Sequence, residues 1–409
     1  MTLHSLQDVL VERIAARQKI TFADFMALVL YWPRGGYYTT TSASASAGDY
    51  FTAPSAHPVF GAILALLLEE MWRLLDCPRP FVVVEPGAGS GQLARDITAY
   101  AEHLDASFRQ ALQYVAVDRS ARLASSPGDG SFERLIAAGL PLKGVTGCIL
   151  SNELLDALPV HRVTIRNGRL QEIYVAYKDG RFLEVEDEPS TPLLVARLAG
   201  EGVSLEEGQR AELCLELDSW VQDVAAVLER GFVLTVDYGY EAQDLYSRHR
   251  FPGTLRCYYR HTLASSPYVR VGEQDITAHV DFTAVASLGA RYGLASQPLQ
   301  TQAVFLNNLG MQSFQRRLAT SGLGQRQRDA NRMAMLDLAR AGGMGDFKVL
   351  VQSKNIAASA IFGVQGASAE WKDRLERLPL PLLDDQHLAL MEARYPHAAH
   401  SWGEGWPWR

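Results

Sequence analysis

Four cysteines in 409 residues, Cys77, Cys148, Cys214 and Cys257, are too few and too scattered to staple a fold. None forms a Cys-x-x-Cys pair or stands beside histidine at metal-ligand spacing, so no metal is expected. The thiols read as free, structural groups of a reducing compartment. Positive charge is also short: 39 Lys and Arg against 46 Asp and Glu leave a net charge of −7. A protein that grips nucleic acid through its phosphates needs the opposite balance, so no nucleic-acid partner is expected. Long apolar runs are missing too. The longest, residues 59–68, ends at Glu69-Glu70. A membrane-spanning helix needs roughly 20 apolar residues, so this run reads as a buried helix and no membrane insertion is expected. Asp8 and Glu12 interrupt the N-terminus, which has no apolar signal core and is not acid-poor like a transit peptide. The expected location is therefore cytoplasmic.

What is present is a sequence 47% hydrophobic and 21% charged, enough for a large core in one domain with insertions or in two domains. Its most informative stretch is Phe81-Val-Val-Val-Glu-Pro-Gly-Ala-Gly-Ser-Gly91. Residues 81–84 read as a buried strand and 92–103 as a helix. Gly87, Gly89 and Gly91 lie between them and let the backbone approach a ligand closely. A dinucleotide fingerprint starting at Gly87 needs glycine at position 92, where Gln92 stands, which disfavours a nicotinamide oxidoreductase. Tyr114-Val-Ala-Val-Asp118 reads as a second strand ending in an acid. Asp118 suits ribose hydroxyls, and the competing reading is a cap for the next helix. Strands at 148–151 and 232–237 end in Asn152-Glu153 and Asp237, and apolar runs at 294–299 and 347–352 complete the series. Strands alternating with helices imply a parallel α/β sheet of Rossmann-like type. Such sheets bind ligands beyond their strand C-termini, where Glu85, Asp118, Asn152, Glu153 and Asp237 gather.

The expected segments are a helical N-terminal region (1–80) with a mobile Ser/Ala loop at 39–47, a first Rossmann-like part (81–159), an insertion (160–231), the remaining core (232–355) and a tail (356–409). Thr21-x-x-Asp24 starts a helix through Leu30. Asn167-Gly168 and Asp179-Gly180 are hairpin turns, so the insertion opens with a small antiparallel meander. The Trp402–Trp408 tail offers packing or a contact surface.

The glycine turn resembles motif I of class I S-adenosylmethionine (SAM) methyltransferases. With Thr21-Phe-Ala-Asp-Phe-Met26, Gly36-Tyr-Tyr38, Gly48-Asp-Tyr-Phe-Thr-Ala-Pro54, Asn152-Glu-Leu-Leu-Asp-Ala-Leu-Pro-Val160, Asp237-Tyr-Gly239 and Asp275-Ile-Thr-Ala-His-Val-Asp-Phe282, the chain is similar to the MidA-like SAM-dependent methyltransferases over roughly residues 20–355. That family includes mitochondrial protein arginine methyltransferases of complex I assembly. The resemblance implies a class I methyltransferase sheet with a helical N-terminal region and an antiparallel β insertion. It implies SAM as cofactor and a protein acceptor, such as a respiratory NADH dehydrogenase subunit. Two alternatives stand beside this: another protein or small-molecule acceptor, and a noncatalytic SAM-binding assembly factor.

An arginine acceptor arrives as a guanidinium that is always protonated, and carboxylates bind it bidentately and fix its plane. Glu153, in the loop after its strand, is the expected clamp, and if the turn there is helical Asp156 shares its face; the alternative is that Asn152, Glu153 and Asp156 cap the helix that follows. Asp237 and Asp281 are candidate second clamps, against readings as a turn acid and, for nearby His279, a satisfied core or surface histidine. Glu85, Gly87, Gly89, Gly91, Asp118 and Asn152 are the expected cofactor residues. Asp49 and Thr52 resemble positions that close over the cofactor, against an Asx-type turn. Ser55 stands where the family usually has glutamate.

Overall fold

The computed structural model describes residues 5–39, 52–119, 130–259, 262–356, 369–384 and 387. Asp49, most of the 39–47 loop and the Trp402–Trp408 tail lie outside the described residues. The chain divides into two compact units, 1–50 with 153–223 and 237–292, and 51–152 with 224–236 and 293–409. This grouping differs from the expected linear segments. The N-terminal helices share a core with the meander instead of forming a region of their own: Leu10, Ile14, Phe22, Phe25 and Met26 cluster with Val160, Val175 and Ile276.

The second unit is built on the sheet. Its strands are ordered Glu133–Ile136, Leu112–Asp118, Phe81–Pro86, Val145–Asn152, Leu228–Asp237, Lys348–Lys354 and Ala295–Ser296, with Gln300–Thr301 also on Lys348–Lys354. The pairings from Glu133–Ile136 through Leu228–Asp237 are parallel, and the two short late strands run antiparallel to Lys348–Lys354. The chain builds outward from Phe81–Pro86 in one direction, then crosses to place Val145–Asn152 on its other side. That reversal creates a crevice at the carboxyl ends of these strands. Each core strand reads as an unbroken apolar run because both faces are buried. The long apolar run becomes the helix Val59–Leu74, buried from Val59 through Glu69. The glycine turn leads into Gln92–Ala101.

The first unit carries the meander. His161–Arg166, Arg169–Lys178 and Arg181–Asp187 pair antiparallel, with Arg210–Leu213 on the far side of His161–Arg166. Asn167, Gly168, Asp179 and Gly180 all have positive φ, as two-residue hairpin loops of this hand require. Ile20–Thr21 adds to Arg169–Lys178, and the helix Phe22–Tyr31 follows, capped by Thr21, whose hydroxyl accepts the Asp24 N–H at 3.0 Å.

Candidate functional site

In the sheet unit, Gly87, Gly89 and Gly91 have φ of 70°, 56° and 76°, so left-handed glycines alternate along the turn. A Cβ built on Gly89 would meet no atom within 4 Å, which leaves the turn open to a ligand. The turn is fastened from the sheet side. Ala88 N–H donates to the Val117 carbonyl at 3.2 Å, and Gly89 N–H to Asp118 Oδ2 at 2.8 Å. Asp118 ends its strand half-buried, and a carboxylate has acceptor capacity for more than one donor. Glu85 lies in the strand just before the turn, 4% exposed, and accepts the Tyr114 hydroxyl at 2.8 Å. Burial pushes its carboxyl up to about 8, which favours the protonated form. Asn152 ends Val145–Asn152. Thr52 precedes the short helix Ala53–Ala56, and its carbonyl accepts both the N–H and the hydroxyl of Ser55, at 3.0 and 2.7 Å. Ser55 is thus turned back on the backbone.

In the other unit, the segment after Asn152 is not an α-helical turn, so the condition for Glu153 and Asp156 to share a helix face is not met. Glu153 has φ +49°, and only a 3-10 turn follows, Leu155–Ala157. The physical reason is Asp237. Its Oδ2 accepts the N–H of Leu154 at 3.1 Å and of Leu155 at 2.8 Å, and its Oδ1 accepts the Tyr238 N–H at 2.8 Å. A fully buried carboxylate taking three backbone donors fixes the chain path and forces the bend at Glu153. Asp237 is therefore a scaffold for the turn, not a clamp that meets substrate. Asp156 is 5% exposed, and burial together with the charges of Asp237, Glu153 and Asp275 holds it well above the usual carboxylate range. Burial also lifts Asp237, to about 7, against the backbone N–H groups that favour its charge. Of the three acids, Glu153 alone is not buried. Nor do Asn152, Glu153 and Asp156 act as helix caps, since the 3-10 turn has no side-chain cap.

Asp281 does not join this group as a clamp. Its Oδ1 accepts the Ala284 N–H at 3.0 Å as the cap of Phe282–Arg291, and its Oδ2 accepts the Tyr246 hydroxyl at 3.1 Å. His279 lies nearly parallel to Tyr238 with ring centroids 6.4 Å apart, and burial, aided by Arg256 and Arg250, lowers it to about 4. It is a neutral aromatic surface. Sequence reasoning missed Asp275, Tyr31 and Tyr38 as members of this constellation. Tyr38 donates to Asp275 Oδ1 at 2.8 Å, and Tyr31 stacks on Tyr38 and donates to the Ala157 carbonyl at 2.8 Å. The signal was present in Gly36-Tyr-Tyr38 and Asp275-Ile-Thr, which tie the N-terminal segment to the Asp156 turn.

A parallel sheet with this strand order, a left-handed glycine turn and an acid ending the next strand define a class I SAM-dependent methyltransferase. Residues 63–299 match the model of a family described as S-adenosyl-L-methionine-dependent methyltransferases, and the chain belongs to that family. Among curated relatives, a Drosophila melanogaster protein named protein arginine methyltransferase NDUFAF7 homolog, mitochondrial, is 30% identical over 71% of this chain and 71% of its own. The Mus musculus protein of that name is 26% identical over 74% and 73%. A crystal structure of a COG1565 superfamily member from Burkholderia thailandensis bound to S-adenosyl-homocysteine superposes with a TM-score of 0.77 at 29% identity, covering 89% of this chain and 96% of that one. The protein is a SAM-dependent methyltransferase. The cytoplasmic location expected from the N-terminus is overturned by these relatives, whose names place them in mitochondria. Among the described residues no helix is long and apolar enough to cross a membrane.

Proposed function

We propose that the chain is a protein arginine N-methyltransferase in which Glu153 receives the acceptor guanidinium. One observation carries this reading. Glu153 is the accessible acid of its turn, held in a left-handed conformation by the Asp237 carboxylate that takes the next two N–H groups. Strained backbone positions outside ordinary tight turns cluster at functional sites. A carboxylate there pairs with the guanidinium, fixes its plane and draws its charge away from the attacking nitrogen. Burial and the neighbouring acids hold Asp156 well above the usual carboxylate range, which disfavours a second charge beside Glu153. The neutral aromatic surfaces of Tyr238 and His279 suit the flat face of a guanidinium.

On the cofactor side, the backbone of 87–91 and Asp118 would hold SAM, with Asn152, Thr52 and Asp49 as further candidates. When bound, SAM supplies the electrophilic sulfonium methyl. The meander after residue 160 is the part we assign to protein docking. The names of the curated relatives support arginine as acceptor. The choice of a respiratory NADH dehydrogenase subunit rests on the sequence resemblance.

The test is transfer of an isotopically labelled methyl from SAM into protein extract of cells lacking this gene, read by mass spectrometry. Label on arginine, lost with Glu153→Gln while SAM affinity is kept, is the expected result. Label on another residue type or on a small molecule would replace the acceptor. No transfer despite SAM binding would point to an assembly role.

A further inference from the structure

Behind the glycine turn, the sheet unit holds a buried cluster that the reaction chemistry does not use. His387 is 0% exposed, with Nδ1 2.7 Å from Asp384 Oδ1 and Nε2 3.1 Å from Asp96 Oδ2. Asp96 is 8% exposed and lies one turn into Gln92–Ala101, the helix that starts at Gly91. Its Oδ1 accepts the Gln92 side-chain amide at 2.9 Å. Gln92 Oε1 accepts Arg95 Nη2 at 2.8 Å, and Arg95 Nη1 donates to the Ser90 carbonyl at 2.9 Å. Ser90 belongs to the glycine turn itself. A continuous polar relay thus runs from a C-terminal histidine to the backbone of the candidate cofactor turn.

The segment carrying His387 is fastened along its length. Arg317 donates to the carbonyls of Leu375 and Leu378, at 2.5 and 2.6 Å. Tyr100 donates to the Pro379 carbonyl at 3.0 Å, and Leu383 N–H to Asn331 Oδ1 at 2.9 Å. Asn331 Oδ1 also lies 2.9 Å from His57 Nε2, and His57 is fully buried. Gly61 lets the helix Val59–Leu74 approach Asp96 closely, since a Cβ there would come within 2.4 Å of Asp96 Cβ. Burial opposes a charged imidazole, but the bonds to Asp384 and Asp96 outweigh it and hold His387 up at about 9. Gln92 Nε2 also lies 3.2 Å from His387 Nε2, so the histidine touches two members of the relay.

We propose that His387 is a positioning residue for the methyl donor: the C-terminal segment sets the conformation of the 87–91 turn through Asp96, Gln92 and Arg95. This rests on the assignment of that turn to the cofactor. It predicts that a residue with no part in methyl transfer controls donor affinity. Such a misplacement acts on binding of the donor and not on the chemical step once the donor is saturating.

The experiment uses the full chain with His387→Gln, Arg95→Met and the double variant. Calorimetric Kd for S-adenosylhomocysteine and steady-state KM and kcat are measured for each. His387→Gln is expected to raise Kd and the KM for SAM about tenfold with kcat and the acceptor KM unchanged. Arg95→Met cuts the link to Ser90 while leaving the segment in place, and should give the same split. The double variant should be no worse than either single one, since both break one relay. Kd within twofold of the parent in a folded Arg95→Met protein overturns the proposal, even if His387→Gln fails to fold. Gly89→Val separates the premises. If it leaves Kd unchanged, the cofactor assignment fails; if it abolishes binding while the relay variants do not change it, only the relay fails.

Discussion

Replacing Glu153 separates what the residue does for the fold from what it does for the reaction. At φ +49° a non-glycine side chain carries roughly 1–2 kcal/mol of steric cost. Glycine removes that cost but loses about 0.5–1 kcal/mol through extra freedom of the unfolded chain. Glu153→Gly should thus leave stability unchanged or raise it by up to about 1.5 kcal/mol, whereas Glu153→Gln keeps the strained backbone. Methyl transfer should respond the opposite way. Each hydrogen bond to a charged group contributes about 1.5–3 kcal/mol, so a bidentate carboxylate–guanidinium pair is worth at least about 3 kcal/mol. At about 1.36 kcal/mol per decade this is a loss of roughly 100-fold or more in kcat/KM for both variants. Thermal melts give the first quantity, and S-adenosylhomocysteine release in the presence of acceptor protein gives the second. A variant that keeps more than about a tenth of the parent rate would refute the clamp. A Glu153→Gly protein clearly less stable than Glu153→Gln would refute the strain argument.

Three further outcomes are expected. Gly89→Val meets open space in the protein, so its stability should fall only by the roughly 1–2 kcal/mol of a left-handed β-branched residue, while calorimetry should show cofactor binding lost. Asp237→Ala strands three backbone N–H groups; allowing for relaxation, it should destabilise by roughly 2–4 kcal/mol and abolish transfer, with donor Kd within twofold. Glu85 is lifted to about 8 by burial, so its favourable contribution is complete below its unfolded value near 4.5 and fades as pH rises through 8. Glu85→Gln should flatten that decline and be the more stable protein at pH 8 by roughly 2–4 kcal/mol, as melts across pH would reveal.

The features legible in the sequence are those fixed by short-range chemistry. Asn167-Gly168 and Asp179-Gly180 announce their turns because few residue pairs tolerate two consecutive left-handed positions. The glycine turn and the acids ending each core strand were visible because buried parallel strands read as apolar runs with abrupt ends. The bend at Glu153 was not legible because Asn152-Glu-Leu-Leu155 has helix-compatible residues, and the carboxylate that bends it belongs to a strand 83 residues away from Leu154. Asp281 stood before an apolar run three residues ahead of Ala284, a capping arrangement that the family motif distracted from. The discontinuous first unit was invisible because its core joins residues near 25 to residues near 175 and 276. The His387 relay spans 291 residues to Asp96, and no local pattern encodes such a pairing.

The central claim, that the turn at residues 87–91 is where this methyltransferase holds its donor, is tested most directly by calorimetric titration of S-adenosylhomocysteine and NAD into the parent protein and Gly89→Val. The account predicts one S-adenosylhomocysteine per chain, no NAD, and loss of the signal in a Gly89→Val protein that still melts cooperatively. Undiminished S-adenosylhomocysteine binding by that variant, or a preference for NAD, would contradict it.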